Sequence, residues 1–385
     1  MYNLNARAVS TTDSDFLESI IGSNFETHHP IYIFGAGSAT RNLLPFLKKY
    51  NVQIIAILDN SYSVVKNLYG IPIVHPSECL LQPRVKVVVL VKNNRSDIAI
   101  QLKSLGIDFK DIVFPSITEM DFYTLIFQWY YSDDELNTRK EEIETSIALY
   151  ADEQSKQLFL HRLGLFTKGL DYRNYLAYLN EFSYPILKDH PIMESPENFF
   201  YFNNEIINID YNLFIDLGGH DGESTRQFLK CSNAEDINIY IAEPDPAYYK
   251  KLVTEFSQHI DNIIVINKAA WNFITELKFD VNGPQSAILE TGTLTVSTFT
   301  VDSLDLKGKY GLIKMDIEGS EMNALMGCAR TLRENNIDLI ISAYHKKDDF
   351  ITIANYLSTL GIQYRYYLRH FGPKIYEMCI IAKRI

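Results

Sequence analysis

At 385 residues the chain is long enough for two or three domains of ordinary size. With 46% apolar and 22% charged residues it can bury real cores and reads as a soluble globular protein. A formal net charge of -12 repels phosphate backbones and argues against nucleic acid as a partner.

The first residues, Met1-Tyr2-Asn3-Leu4-Asn5, lack a basic stretch followed by an apolar run, so no signal peptide is expected. No apolar stretch approaches the roughly 18 residues that span a bilayer. Cys79, Cys231, Cys328 and Cys379 lie far apart, with no Cys-x-x-Cys pair and no His at metal spacing. That is the pattern of reduced thiols in a cytoplasmic protein.

Residues 1–115 read as a small α/β domain. Ile31 to Phe34 is a strand, Gly35-Ala36-Gly37-Ser38 a turn, Arg41 to Tyr50 an amphipathic stretch, and Ile54 to Leu58 a second strand ending in Asp59. Val85 to Val91 is a β-branched run typical of a buried parallel strand. The Gly turn and Asp59 resemble a dinucleotide fingerprint, with Thr40 in the place of the third small residue. Gly35, Gly37, Ser38 and Asp59 are thus candidates for a second nucleotide site. The run Gly70-Ile71-Pro72-Ile73-Val74-His75-Pro76 resembles domains attached to sugar-modifying enzymes, which implies a nucleotide-linked sugar. A purely structural or dimer-forming domain is the competing expectation.

Residues 116–210 read as a helical connector or lid. Helices are predicted over Asp121 to Tyr131, Glu135 to Leu149, Glu153 to Leu163 and Tyr172 to Glu181, with Pro185, Pro191 and Pro196 closing the stretch.

From 211 to 385 the α/β rhythm returns. Strands are predicted at 213–217, 239–243, 263–267, 312–316 and 339–343. An extra pair is predicted at 277–279 and 293–299 around Gly283-Pro284 and Gly292, and a last pair at 364–368 and 378–382. The short loop through Gly372-Pro373 permits a hairpin but no parallel crossover, so a mostly parallel sheet should close with an antiparallel edge.

Four strand ends carry chemistry. Asp216-Leu217-Gly218-Gly219-His220-Asp221-Gly222-Glu223-Ser224-Thr225 follows an apolar strand and opens a helix. Its glycines let backbone approach a ligand, and a helix start offers free N–H groups to a carboxylate. Glu243-Pro244 ends the next strand, where an acid accepts hydrogen bonds from a ribose diol. Asn267-Lys268-Ala269-Ala270-Trp271 is small enough to admit an adenine ring. Lys314-Met315-Asp316-Ile317-Glu318-Gly319-Ser320-Glu321 puts unusual charge at a buried strand's end.

These blocks, with Val301-Asp302-Ser303-Leu304, Ser342-Ala343-Tyr344-His345 and Tyr367-Leu368-Arg369-His370, resemble the FkbM-type methyltransferases over about residues 200–385. The resemblance implies a class I methyltransferase fold, Rossmann-like and mostly parallel. It implies S-adenosylmethionine as donor, S-adenosylhomocysteine as product, and O-methyl transfer to a sugar or secondary metabolite. Carried over by position, Asp216, Gly218, Gly219 and Gly222 hold the methionine end, Glu243 the ribose, and Asp316 stands between donor and acceptor. His220, Ser224, Thr225, Pro244, Ala269 and Ala270 complete the cofactor set.

His345, just past a strand end, is the first candidate for the base that takes the acceptor's proton, with His370 and Asp316 as rivals. The favoured reading needs no metal. The lesser variant has a subset of Asp302, Asp316, Glu318 and Glu321 hold a divalent cation. The competing functions are a nicotinamide-dependent sugar oxidoreductase built on the N-terminal turn and a non-catalytic binding protein on a methyltransferase fold.

Overall fold

The structure is a computed structural model. It describes residues 30–49, 51–61, 67–82, 85–91, 94–115, 129, 131–167, 177–178, 181, 200–202, 206–207, 210–232, 237–257, 262–281, 286–289, 292–304, 306, 310–371 and 378–385. The helices expected over Asp121 to Tyr131 and Tyr172 to Glu181, the three closing prolines, Gly283-Pro284 and the Gly372-Pro373 loop lie wholly or largely outside the described residues. The chain divides into two compact units. The first takes in Met1–Glu135 and Gly164–Ala177, the second Leu136–Leu163 and Tyr178–Ile385.

The first unit holds a sheet of β1 (Ile31–Phe34), β2 (Ile54–Leu58), β3 (Asn67–Leu68), β4 (Ile71–Val74), β5 (Lys86–Val89) and β6 (Ile112–Val113), in the order β3-β4-β2-β1-β5-β6. The pairs are parallel except β3 with β4. β1 is buried along its whole length, as an apolar run between two parallel neighbours must be. Helix α1 (Ser38–Lys49) follows the Gly35 turn and α2 (Arg95–Ser104) follows β5. Tyr32, Phe34, Leu58, Val87, Val89 and Leu102 share one core.

The stretch read as a connector divides between the units. The short helix α3 (Asp133–Thr138) contains the division, while α4 (Lys140–Leu149) and α5 (Glu153–Leu165) fall almost wholly in the second unit. Among the described residues no helix is long and apolar enough to cross a membrane.

The second unit is built on a larger sheet. Its strands are β7 (Leu213–Leu217), β8 (Asn238–Ala242), β9 (Ile263–Ile266), β14 (Tyr310–Met315), β15 (Asn336–Ser342), β16 (Tyr364–His370) and β17 (Met378–Arg384). Their order is β16-β17-β15-β14-β7-β8-β9. β7, β8, β9, β14 and β15 pair in parallel, and β17 runs antiparallel to both neighbours. The expected parallel sheet with an antiparallel edge is therefore the observed one. The chain winds from β7 outward to β9, then returns to lay β14 on β7's other side. That reversal is the switch point at whose carboxyl edge open α/β sheets bind ligands.

Helix α6 (Glu223–Cys231) follows β7 and lays Phe228 on Phe214, with stacked rings 4.1 Å apart. Helix α7 (Pro246–Leu252) follows β8. A second sheet, β10 (Ala269–Ala270), β11 (Glu276–Asp280), β12 (Ala287–Ile288) and β13 (Leu294–Phe299), is inserted between β9 and β14 in the order β10-β13-β11-β12. It contains the antiparallel β11–β13 pair that the sequence predicts. Helices α8 (Glu321–Met326) and α9 (Ala329–Glu334) join β14 to β15, and α10 (Asp349–Thr359) joins β15 to β16.

The two connector helices of this unit are tied to its sheet. Ser146 and Tyr150 donate to the Ile351 and Phe350 carbonyls of α10, at 3.1 and 2.8 Å. Asp152 pairs with Arg369 of β16. Burial alone would raise the Asp152 carboxyl, but Arg369 and Ser155 outweigh it and bring it to about 2.

Candidate active site

A cavity of about 360 Å³ opens at the carboxyl edge of the larger sheet, within the range of small-molecule sites. Register explains its floor. β14 and β7 pair so that Lys314 lies beside Asp216 and Met315 beside Leu217. Lys314 Nζ reaches Asp216 Oδ1 at 3.1 Å and the Gly218 carbonyl at 3.0 Å. Burial alone would lower the lysine's pKa, but Asp216 and Asp316 raise it, so the ammonium is kept. Asp216 is fully buried and also accepts from the Ser224 and Thr225 hydroxyls. It holds the start of α6 against the strand and does not line the cavity.

The Gly turn runs between sheet and cavity. Gly218 has φ +87°, and a Cβ there would collide with the Asp316 carbonyl oxygen. Only glycine permits both the left-handed backbone and that approach. At Gly219 a Cβ would run into the Ile241 side chain. His220 also has positive φ, 43°, a conformation held where surroundings enforce it. Its N–H donates to Glu243 Oε2 at 2.8 Å, while Glu243 Oε1 accepts from Asp245 N at 2.8 Å. Burial pushes the Glu243 carboxyl up to about 7 despite these two N–H groups.

Gly218, Gly219, His220, Ser224, Glu243, Pro244, Ala269, Ala270 and Asp316 all line the cavity. The other candidates stand behind it. Gly222 packs where a Cβ would meet Phe256 at 2.7 Å, and Thr225 is spent on Asp216. His370, at the end of β16, meets the Tyr178 ring edge-on at 5.8 Å and is not among the lining residues.

His345 lies just behind the wall that Asp316, Glu318 and Tyr344 form. Its Nδ1 is 2.8 Å from Glu321 Oε1, and because the partner is a carboxylate, Nδ1 carries the hydrogen. Nε2 is 3.5 Å from both Asp316 Oδ1 and Glu318 Oε1. Burial would lower the ring's pKa, but Glu321, Glu318 and Asp316 together hold it well above the usual histidine value. His345, the expected base, stands behind the cavity wall among three carboxylates and does not itself line the cavity. Asp316 faces the cavity and accepts from the Tyr344 hydroxyl at 3.1 Å. Burial would raise its carboxyl, but Lys314 and His345 hold it below the usual range. Asp302 stands apart from this group. Its carboxylate accepts from the N–H groups of Arg330 and Thr331, at 3.0 and 2.7 Å, at the start of α9.

Sequence reasoning did not assign Lys314, Tyr344, Tyr248 or the insert residues Phe279, Ala287 and Ile288 to the site, yet all line the cavity. A signal existed for Lys314, a lone charge in the apolar run Leu312-Ile313-Lys314-Met315. None existed for the insert residues, which reach the cavity only through the fold.

In the first unit, Asp59 Oδ2 accepts from Ala36 N at 2.6 Å and Oδ1 from Ser61 N at 2.7 Å. Gly35 and Asp59 line a cavity of about 310 Å³, while Gly37 does not, and the Ser38 side chain lies outside what is described. No cation stands among its described lining residues.

Residues 216–372 match the family model described as the methyltransferase FkbM domain, and residues 28–113 the one described as C2185-like, N-terminal. Among solved structures the chain is similar to a methyltransferase FkbM from Methylobacillus flagellatus KT. Identity is 17%, coverage 97% of this chain and 94% of that one, and the TM-score 0.58, a likeness of fold. Another similar structure is fibrillarin from Aeropyrum pernix with natively bound S-adenosyl-L-methionine, at 13% identity, 48% and 71% coverage and a TM-score of 0.32. A third is a precorrin-6y C5,15-methyltransferase from Geobacter metallireducens GS-15, at 12% identity, 47% and 84% coverage and a TM-score of 0.30. No curated protein matches the chain.

Proposed function

We propose, from a C-terminal region that belongs to the methyltransferase FkbM family, that this chain moves a methyl group from S-adenosylmethionine to a hydroxyl of a sugar or secondary-metabolite acceptor. The observation that carries the reading is the cavity itself. A buried acid, a glycine turn whose Cβ positions are filled by neighbouring atoms, and a pocket-facing aspartate meet at one switch point. The pieces fit the donor: Glu243 for the ribose diol, the Gly218–Gly219 backbone and the start of α6 for the amino-acid end, and Ala269-Ala270 for a flat ring.

When bound, S-adenosylmethionine supplies a sulfonium-activated methyl for in-line displacement. The protein's contribution is alignment. Glu243 keeps a free lone pair on each oxygen beyond the N–H groups it holds. Lys314 fixes the Gly218 carbonyl and thereby the turn. Asp316, fixed by Tyr344, accepts the acceptor's hydroxyl hydrogen and turns an oxygen lone pair toward the methyl. None of the four cysteines is in a disulfide, which supports a reducing, cytoplasmic compartment.

The test is transfer of labelled methyl from S-adenosylmethionine into a panel of sugars, nucleotide-linked sugars and hydroxylated metabolites. An O-linked labelled product, reduced at least ~100-fold in Asp316→Asn, is expected. Label appearing on nitrogen would overturn the hydroxyl assignment. A folded protein that does not bind S-adenosylhomocysteine would overturn the reading as a whole.

A further inference from the structure

The group behind the acceptor-side wall has more negative charge than the alignment role uses. Asp316, Glu318 and Glu321 surround one imidazole. The cation next to them, Lys314, is already committed to Asp216 and the Gly218 carbonyl. Asp349 stands near this group, its carboxylate accepting from Lys346 N at 2.7 Å.

Two buried atoms in this group lack partners. His345 Nε2 makes no hydrogen bond, although the side chain is only 8% exposed. It looks toward Asp316 and Glu318, whose oxygens at 3.5 Å are too far for good hydrogen bonds. Glu321 is 1% exposed. Its Oε1 accepts from His345 Nδ1 and Ile317 N, while Oε2 has no partner. Ligand atoms of Asp316, Glu321 and His345 all lie within 4.8 Å of one another.

We propose that Asp316, Glu321 and His345 hold a divalent cation, with Glu318 beside the ring, 3.5 Å from Nε2. Nitrogen and oxygen donors about 2.1 Å from a shared tetrahedral ion stand roughly 3.4 Å apart. The 3.5 Å separation between Nε2 and Asp316 Oδ1 fits that spacing. One imidazole with carboxylates suits Mn²⁺ or Zn²⁺ better than Mg²⁺ or Ca²⁺. Glu318 reaches the ring because its backbone takes φ +52° before Gly319 at +89°. Asp316 and Glu318 line the cavity, where a cation would lower the pKa of an acceptor hydroxyl. This use rests on the methyltransferase reading, whereas the binding itself does not.

The test is titration of the full chain with Mn²⁺ after chelator stripping, following loss of the free-ion paramagnetic resonance signal. One bound ion per chain is expected, with nitrogen coupling visible by electron spin echo modulation. His345→Ala should abolish binding, Glu321→Gln weaken it at least ~10-fold, and Glu318→Gln weaken it less. Circular dichroism establishes that each variant is folded. Mn²⁺ that stays free in the wild type, or binds without nitrogen coupling and indifferently to Glu321→Gln, overturns the proposal. Calorimetry of S-adenosylhomocysteine on the same stripped sample separates the two readings. Donor binding without Mn²⁺ binding sinks only the cation site, and the reverse sinks only the donor site.

Discussion

In both sheets the chain leaves a strand through glycines, and the following strand ends in an acid that reaches back to the turn. Asp59 accepts from Ala36 N, and Glu243 from His220 N. The surroundings differ. Glu243 is 6% exposed and opens on a cavity walled by four strand ends and an inserted sheet. Asp59 is half-exposed beside Asn60 and Gln101, which hydrogen-bond each other, and Asp97. An acid in the second setting meets water and another acid, an unfavourable place for a nucleotide's phosphates. The same turn chemistry thus sits in a deeply buried setting in one unit and a half-exposed one in the other. What separates them is the depth of burial, not the motif.

The contrast is widest at the centres of the two sheets. The larger sheet carries a buried ion pair there, whereas β1 of the first unit is wholly apolar. Lys314→Met should cost about 3–5 kcal/mol, because Asp216 would be left charged and uncompensated. Ile33→Val in β1 should cost about 0.5–1.5 kcal/mol. Urea unfolding of the two variants measures both.

The glycines come next. Gly218→Ala forces a Cβ onto the rigid Asp316 carbonyl at φ +87° and should cost about 3 kcal/mol. Gly35→Ala, at φ +104°, meets the Val91 side chain at 2.6 Å, which can turn aside, and should cost about 1–2 kcal/mol. Equal losses in denaturant melts would remove the distinction between the two turns.

The acids give a smaller and more specific effect. Glu243→Ala should weaken S-adenosylhomocysteine at least ~10-fold, about 1.4 kcal/mol, while Asp59→Ala leaves it unchanged. Calorimetry decides, and a loss in Asp59→Ala would mean the first unit takes part in donor binding.

The smallest effect is one of pH. Glu243 titrates near 7 in the folded protein, above its ordinary 4.5, because burial disfavours the charge. The folded state therefore holds the extra proton between those values, and this group's contribution to stability falls as pH rises from 4.5 to 7. Donor binding runs the opposite way, since the ionised form accepts the diol. Affinity should drop by about 10-fold between pH 8 and pH 6 in the wild type. The Glu243→Gln variant should be flat across that range.

Much of the larger sheet is legible in the sequence because its strands are short apolar runs ending in charge. The strand predicted at 213–217 is observed with those bounds, and the others shift by a few residues. Asp316 and Glu243 fall just outside their strands, at the point where a polar side chain leaves the pleat for the cavity. What the sequence withholds is tertiary. Residues 140–165 read as helices in the sequence, but nothing local says that α10 and β16 are their partners. The field on His345 arises from residues 24 to 29 positions away in the chain, which no local pattern discloses.

One contact sets the scale of the whole site. The Gly218 Cα lies against the Asp316 carbonyl with no room for a methyl group between them. The donor turn and the acceptor-side carboxylate are thus separated by two touching backbones and not by rotatable side chains. On the proposed reading, the spacing between donor turn and Asp316 is set by main-chain geometry, like a gauge block. Selection among acceptors then falls to the side chains that the inserted sheet adds to the cavity, Phe279, Ala287 and Ile288.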